Sequence, residues 1–313
     1  MIITVTANPL IDRTLIVSDF QPGRIHRAEQ TRETVGGKGI NVARILKTMG
    51  ASVTAVTFAG GGYGDRMVEL LRQEDIPTRI TRTSSPTRFQ VSIQSRGQSL
   101  PTDVIDPGSF IETTEKEALI SEVEEILRHA SDNIEWLILS GSAASGPMDD
   151  LYRRLAEIAS KYEISVFLDS YGTIFVEGLK ANPLAVKPNL DEAEKLSGLK
   201  LDSQKKQIDF LKELHCNGVK IPILTLGEKG ALLLFEDSVY WGIPPKIDTV
   251  NPIGSGDAFV GAFAATRSKG CEWTDCLRWG VAAGTANATV WDACGCSLES
   301  IESFYLQTTI QKL

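Results

Sequence analysis

Short runs of β-branched and other apolar residues alternate along this chain with segments of helical period, and few folds accommodate that rhythm. The candidate core strands are Ile2 to Thr6, Val53 to Phe58, Trp136 to Ser140, Ser165 to Asp169, Leu184 to Lys187 and Ile221 to Leu226. Between them, Ile40 to Met49, Met67 to Glu74, Glu115 to His129, Leu151 to Lys161 and Gln204 to Leu214 carry apolar residues three and four positions apart, the spacing of a helix with one buried stripe. Strands joined through helices pair in parallel, and the helices then cover both faces of the sheet. The expected fold is α/β, a doubly wound, mainly parallel sheet flanked by helices. A chain of 313 residues could hold two average domains or one large α/β unit; it has no internal repeat, low-complexity tract or long linker at which to divide.

Some segments leave this rhythm. Thr14 to Val17, Arg24 to Thr31, Thr87 to Ser95 and Gln98 to Ile105 read as strands with no helix between them, and Ser95-Arg96-Gly97-Gln98 suits a hairpin turn. They predict a small β-sheet built from two insertions, at about 13–34 and 87–106. A sheet with no helix to cover it either closes over a ligand cleft as a lid or pairs with a second subunit, so a homodimer through the lid is one expectation. From about Gly230 a strand pair precedes three helices, expected over Gly254 to Lys269, Trp273 to Val290 and Leu298 to Gln311.

Composition excludes several classes of function. A net charge of −8 opposes broad electrostatic binding to nucleic acid or to an anionic membrane, so an anionic ligand needs a local site. With 42 % hydrophobic residues and a mean hydropathy of −0.05 the chain has ample material for a core. The N-terminal Met-Ile-Ile-Thr-Val-Thr run lacks a basic leader and no long apolar stretch follows, which predicts a cytoplasmic protein. Cys216, Cys271, Cys276, Cys294 and Cys296 form an odd set that suits free thiols in a reducing compartment. Cys294 and Cys296 have no second ligand pair within sequence reach for a metal site.

Two glycine clusters carry the chemistry. Asn251-Pro252-Ile253-Gly254-Ser255-Gly256-Asp257-Ala258-Phe259 ends on a carboxylate where an apolar helix begins. The first N–H groups of a helix have no internal partner, and with the macrodipole they favour an anion. A carboxylate beside a phosphate site would repel the ligand, so Asp257 makes sense as a proton acceptor for a hydroxyl that attacks phosphorus while the amides of Gly254, Ser255 and Gly256 hold the developing charge. The same residues also suit a plain helix start whose Asp caps the first turn. The second cluster, Val35-Gly36-Gly37-Lys38-Gly39-Ile40-Asn41, has neither Walker A spacing nor a dinucleotide fingerprint. It leaves Lys38 and Asn41 free to project at a small ligand, or forms only a strand-to-helix turn.

Five motifs in order then resemble the ribokinase-like sugar kinases: Thr6-Ala7-Asn8-Pro9-Leu10-Ile11-Asp12, Gly36 to Arg44, Lys187-Pro188-Asn189-Leu190-Asp191-Glu192, Thr225-Leu226-Gly227-Glu228-Lys229-Gly230 and Asn251 to Phe259. Within that group the chain is most similar to the phosphofructokinase B-type branch, with its 1-phosphofructokinases and tagatose-6-phosphate kinases, from Ile3 to about Ala288. The resemblance implies an ATP-dependent kinase with a β lid. It implies Asp257 as the catalytic base, an anion hole at Gly254, Ser255 and Gly256, and sugar contacts from Asp12, Gly37, Lys38 and Asn41. It further implies that Lys187, Asn189, Thr225, Gly227 and Asn287 line the nucleotide, Asn287 near the adenine. Glu192 completes an Asn-x-x-Glu motif tied to Mg2+, which it can hold through water, and a monovalent cation is a further possibility in the family. Glu192 also suits a plain acidic residue at a helix N-terminus.

Thr87-Arg88 opens a lid strand where the branch binds its substrate's phosphate, with Arg88 acting beside Lys38; the alternative is a solvated strand arginine. Other positions depart from the branch. Ser142-Ala143-Ala144-Ser145-Gly146 replaces Ser-Leu-Pro-Pro-Gly, and Asp169-Ser170-Tyr171-Gly172 replaces Asp-Thr-Ser-Gly. Gln90 replaces a frequent Asn, and Ile105-Asp106 a frequent Asn-Glu. Asn251-Pro252 resembles the tagatose-6-phosphate kinase version. These changes bear on the identity of the sugar more than on the reaction. The expected function is γ-phosphate transfer to a sugar phosphate of the fructose-1-phosphate or tagatose-6-phosphate type. An unphosphorylated sugar or nucleoside as acceptor, and a non-catalytic sugar-phosphate or nucleotide sensor, are the alternatives.

Overall fold

Each expected core strand and each helix expected between the core strands is present in a computed structural model, which describes residues 1–95, 101–130 and 133–313. The chain begins with β1 (Ile2–Thr6), β2 (Leu10–Val17), β3 (Gln30–Gly36), α1 (Lys38–Thr48), β4 (Val53–Gly60), α2 (Gly61–Gln73) and β5 (Thr78–Thr83). There follow β6 (Arg88–Ser95), β7 (Thr102–Ile105), α3 (Thr113–Ala130), β8 (Trp136–Ser140), α4 (Leu151–Lys161), β9 (Ser165–Asp169), α5 (Thr173–Leu179) and β10 (Ala185–Val186). The remainder comprises α6 (Leu190–Ser197), α7 (Gln204–Cys216), β11 (Ile221–Thr225), β12 (Ala231–Phe235), β13 (Ser238–Ile243), α8 (Ser255–Arg267), α9 (Trp273–Ala288), α10 (Leu298–Gln307) and β14 (Thr309–Lys312). Among the described residues no helix is long and apolar enough to cross a membrane.

The large sheet has the order β14-β13-β12-β11-β10-β9-β8-β1-β4-β5. From β5 to β11 neighbouring strands are parallel, and β12, β13 and β14 add an antiparallel edge. After β1 the chain builds outward through β4 and β5, then returns to lay β8 on the other side of β1. The C-terminal ends of β1 and β8 therefore flank a switch point, where an open α/β sheet leaves a crevice for ligands. Alternating strand residues feed two separate cores. Ile2 packs with Ile45, Met67, Phe259, Phe263 and Ile301 beneath α1, α2, α8, α9 and α10. Ile3 and Val5 pack with Leu119, Leu155, Phe175, Ala193 and Leu211 beneath α3 to α7.

The second sheet has the order β3-β2-β6-β7, in which β2 runs antiparallel to β3 and parallel to β6. The strand expected over Arg24 to Thr31 lies instead at Gln30–Gly36, paired from Leu10↔Gly36 to Ile16↔Gln30. Residues 24–29 have no apolar alternation to bury: Ile25 is 96 % exposed and follows a turn with Gly23 at φ +81°. The turn expected at 95–98 and the first residues of the following strand lie mostly outside the described residues. At the C-terminus the expected helix ends at Gln307, and Thr309–Lys312 instead fills the open edge of β13. That pairing depends on a distant strand, which local periodicity does not encode.

Phe263 anchors the first core, fully buried with its ring 5.6 Å from Phe167, 5.8 Å from Phe259 and 5.9 Å from Trp273. Phe263→Ala is expected to cost about 3–5 kcal/mol in denaturant unfolding, as truncation of a buried aromatic leaves a cavity. A loss below about 1 kcal/mol would contradict the packing described.

Candidate active site

The site is assembled at the C-terminal ends of the central strands and at two helix N-termini. Ahead of α8, Asn251 shapes the loop: its Oδ1 accepts the Ile253 N–H at 3.0 Å and its Nδ2 donates to the Trp291 carbonyl at 2.8 Å. Gly254 then turns the chain with φ +83°, a left-handed conformation that a side chain would strain. Ser255 N–H bonds the Pro252 carbonyl at 3.2 Å, so this expected anion-hole donor is engaged. The N–H groups of Gly254, Gly256 and Asp257 have no partner among the described residues. The open donors thus reach one residue further into the helix than the glycine motif implies.

Asp257 is buried in the first turn of α8, and its Oδ2 accepts a hydrogen bond from Asn41 Nδ2 at 2.8 Å. The approach depends on Gly261, one turn further on: a Cβ there would meet Ile45 Cβ at 2.8 Å and the Val42 carbonyl at 3.1 Å. Asn41 opposite Asp257 and Ile45 opposite Gly261 mean that α1 and α8 run side by side in the same direction. Both positive dipole ends therefore meet at the carboxylate.

Two lysines enter the same space. Lys187, buried just after β10, lies 3.1 Å from Asp169 Oδ1, and its Nζ is 3.3 Å from where a Cβ on Gly256 would sit. Lys38, first residue of α1, lies 3.3 Å from Asp169 Oδ1 and 3.4 Å from Glu192 Oε1. Burial pushes the Lys38 ammonium down, but the carboxylates of Asp169, Asp257 and Glu192 outweigh it and hold the group charged. Burial likewise works to raise Asp169, yet Lys187 and Lys38 bring it below the usual carboxylate range. Asp257 moves the other way: burial raises it to about 6, with Lys38 and the Asn41 hydrogen bond opposing and Asp169 adding to the rise.

Asn189 and Glu192 form a capping box at the start of α6, with Asn189 Oδ1 accepting from Glu192 N–H and Glu192 Oε2 accepting from Asn189 N–H, both at 2.8 Å. With its other oxygen on Lys38, Glu192 has little capacity for a direct metal bond. Among the described residues no group of three His, Cys, Asp or Glu could hold a metal directly. Glu192 is the acid here that could act on a hydrated Mg2+ through water. Asn189 also bridges to Thr225 at the end of β11, which brings Thr225 and the exposed Gly227 turn beside it.

On the second sheet, Asp12 accepts from Ser92 Oγ at 3.0 Å, and burial raises its pKa. Arg88 at the start of β6 donates to the carbonyl of Asn8 at 2.8 Å and, more weakly, to that of Pro9 at 3.4 Å; burial lowers its pKa. Gly37 immediately precedes α1, at the foot of Lys38. Asn287 faces inward: its Nδ2 donates to the Ile253 carbonyl at 2.8 Å and to Ser255 Oγ at 3.0 Å, and its Oδ1 accepts the Cys294 N–H at 2.6 Å. The amide thus holds the loop ahead of α8. All five cysteines are free, and the Cys294 thiol donates to the Gly254 carbonyl at 3.5 Å. Sequence reasoning gave no role to Asp169, although it ends the apolar run Ser165-Val-Phe-Leu and keeps the Asp of the family's Asp-Thr-Ser-Gly. It also missed the Arg44 and Glu74 pair behind Asn41.

Residues 3–300 match the model of the pfkB family carbohydrate kinases. The chain is 30 % identical over 288 residues to a 1-phosphofructokinase of Bacillus subtilis (strain 168), covering 92 % of each chain. It is 31 % identical over 268 residues to a tagatose-6-phosphate kinase of Staphylococcus epidermidis, covering 85 % of this chain and 84 % of that one. In structure it superposes with a TM-score of 0.91 on phosphofructokinase-2 from Escherichia coli in complex with potassium, at 28 % identity and 98 % coverage of both chains. A ribokinase-like mixed sheet with helices on both faces, a family match over nearly its whole length and relatives that are sugar-phosphate kinases agree: this chain belongs to the pfkB family of carbohydrate kinases.

Proposed function

We propose that this protein transfers the γ-phosphate of ATP to a hydroxyl of a ketohexose phosphate, with Asp257 as the base. The observation that carries the reading is a buried carboxylate beside three open main-chain donors and two lysines. The acceptor oxygen attacks the γ-phosphorus, Asp257 takes the hydroxyl proton, and ADP leaves. The amides of Gly254, Gly256 and Asp257, with Lys187, neutralise charge on the equatorial oxygens. A base with a pKa of about 6 is ionised at neutral pH yet still proton-hungry, a good match to the task. Hydrated Mg2+, where bound, would add charge neutralisation and orient the phosphates, and Asn189, Thr225 and Gly227, which lie beside one another, are assigned to the nucleotide. The potassium in the E. coli neighbour is what supports a monovalent cation.

A phosphorylated acceptor is favoured by Arg88. Its guanidinium is half-buried and bonded to main-chain carbonyls, with no acidic partner to neutralise it among the described residues. A cation left without a counter-charge, together with Lys38, suits an anionic substrate group, and Asp12 suits sugar hydroxyls from the lid. The named activities of the two bacterial relatives point to the same substrate class.

Asp257→Asn is expected to lower turnover about 10²- to 10⁴-fold while nucleotide still binds. In the wild type, kcat/KM should fall as pH drops below about 6. Because folding raises this pKa, the ionised group disfavours the fold, an effect absent below pH 4 and complete above pH 6. The Asn variant should therefore be more stable at pH 7 by about 1–3 kcal/mol and gain nothing at pH 4. Full activity in a folded Asn variant would defeat the reading. Arg88→Ala should raise KM for the sugar phosphate about 10- to 100-fold and leave KM for ATP unchanged; an unchanged sugar KM would favour an unphosphorylated acceptor.

A further inference from the structure

Asn41 makes the one hydrogen bond to the Asp257 carboxylate among the described residues, and what orients Asn41 lies outside the site. Arg44, on the next turn of α1, donates from NH1 to Asn41 Oδ1 at 2.7 Å. Its Nε and NH2 grip Glu74 Oε2 and Oε1 at 2.6 and 2.9 Å, and NH2 also bonds the Val35 carbonyl at 2.7 Å. Glu74 is the residue that ends α2, near the surface. A guanidinium only donates, so the amide atom facing it must be the oxygen, which turns the NH2 end of Asn41 towards Asp257. A flipped amide would set donor against donor at Arg44 and oxygen against oxygen at Asp257.

We propose that Arg44, clamped by Glu74, is a positioning residue that locks the Asn41 amide so that it holds the Asp257 carboxylate oriented to receive the acceptor's proton. This deepens the proposed function and rests on the reading of Asp257 as the base. The other groups facing Asp257 are Lys38 on α1, Lys187 after β10, Asp169 at the end of β9 and the Cys294 thiol. They act on it through charge, which falls off gradually with distance, whereas the Asn41 bond is directional. Without Arg44 the amide is free to rotate, and the ionised carboxylate loses part of the one hydrogen bond it accepts from the described residues.

The test is a 13C NMR titration of protein labelled at the Asp carboxyl carbon, with the Asp257 signal assigned by its absence in Asp257→Asn. Arg44→Met should move the Asp257 midpoint upward by about half to one pH unit, and kcat/KM at pH 7 should fall about tenfold. Glu74→Gln should act in the same direction and more weakly, and it serves if Arg44→Met does not fold. Asn41→Ala should move the midpoint at least as far, and adding Arg44→Met to it should move it no further. An unmoved midpoint in a folded single variant, or additive shifts in the double variant, would overturn the proposal, the latter because it would reveal a plain charge effect. The midpoint is read without turnover, so absence of kinase activity in the wild type would sink the proposed function while still leaving the positioning role decided.

Discussion

Where the first turn of α1 lies against the first turn of α8, Asn41 reaches Asp257, and the close approach that allows it is made at Gly261. Two positive helix ends converge there, Lys38 begins one of them and Lys187 lies against the other. That concentration of positive potential offsets the cost of burying the Asp169 and Asp257 carboxylates side by side. The sheet contributes by bringing Asp169 and Lys187 to the ends of adjacent strands β9 and β10.

The environment divides the labour between two buried carboxylates. Asp169 faces two ammonium groups, and although burial opposes ionisation they draw its pKa down, so it is a fixed charge that orders the lysines. Asp257 is also buried but has one amide donor and Asp169 for a neighbour, and burial raises its pKa into the range useful for proton transfer. Pairs of acids driven apart in this way separate the residue that holds charge from the one that moves a proton. The open amides at the start of α8 are the remaining element, a cradle for phosphate oxygens in the proposed transfer.

Much of the fold was legible because a parallel sheet buried on both faces demands continuous apolar strands and periodic helices, and both patterns are local. Asp257, Lys38 and the Asn189 with Glu192 motif were legible because glycine turns and helix starts mark them. The small second sheet was legible in outline, but β3 was not, because its bounds come from pairing with β2 and not from its own residues. The β14 strand and the inward-facing Asn287 likewise answer to distant partners. Arg44 and Glu74 sit 30 residues apart, one on α1 and one just past the end of α2, so their pairing has no local signal. Asp169 keeps the Asp of a family motif at a strand end, but its part in the site shows only when two lysines arrive from elsewhere in the chain.

The most direct measurement is a crystal structure of the protein grown with ADP, Mg2+, aluminium fluoride and a ketohexose phosphate. The planar fluoride should accept hydrogen bonds from the amides of Gly254, Gly256 and Asp257, with an acceptor hydroxyl between it and the Asp257 carboxylate. A fluoride bound away from the first turn of α8, or a hydroxyl facing a different side chain, would contradict the role given to Asp257.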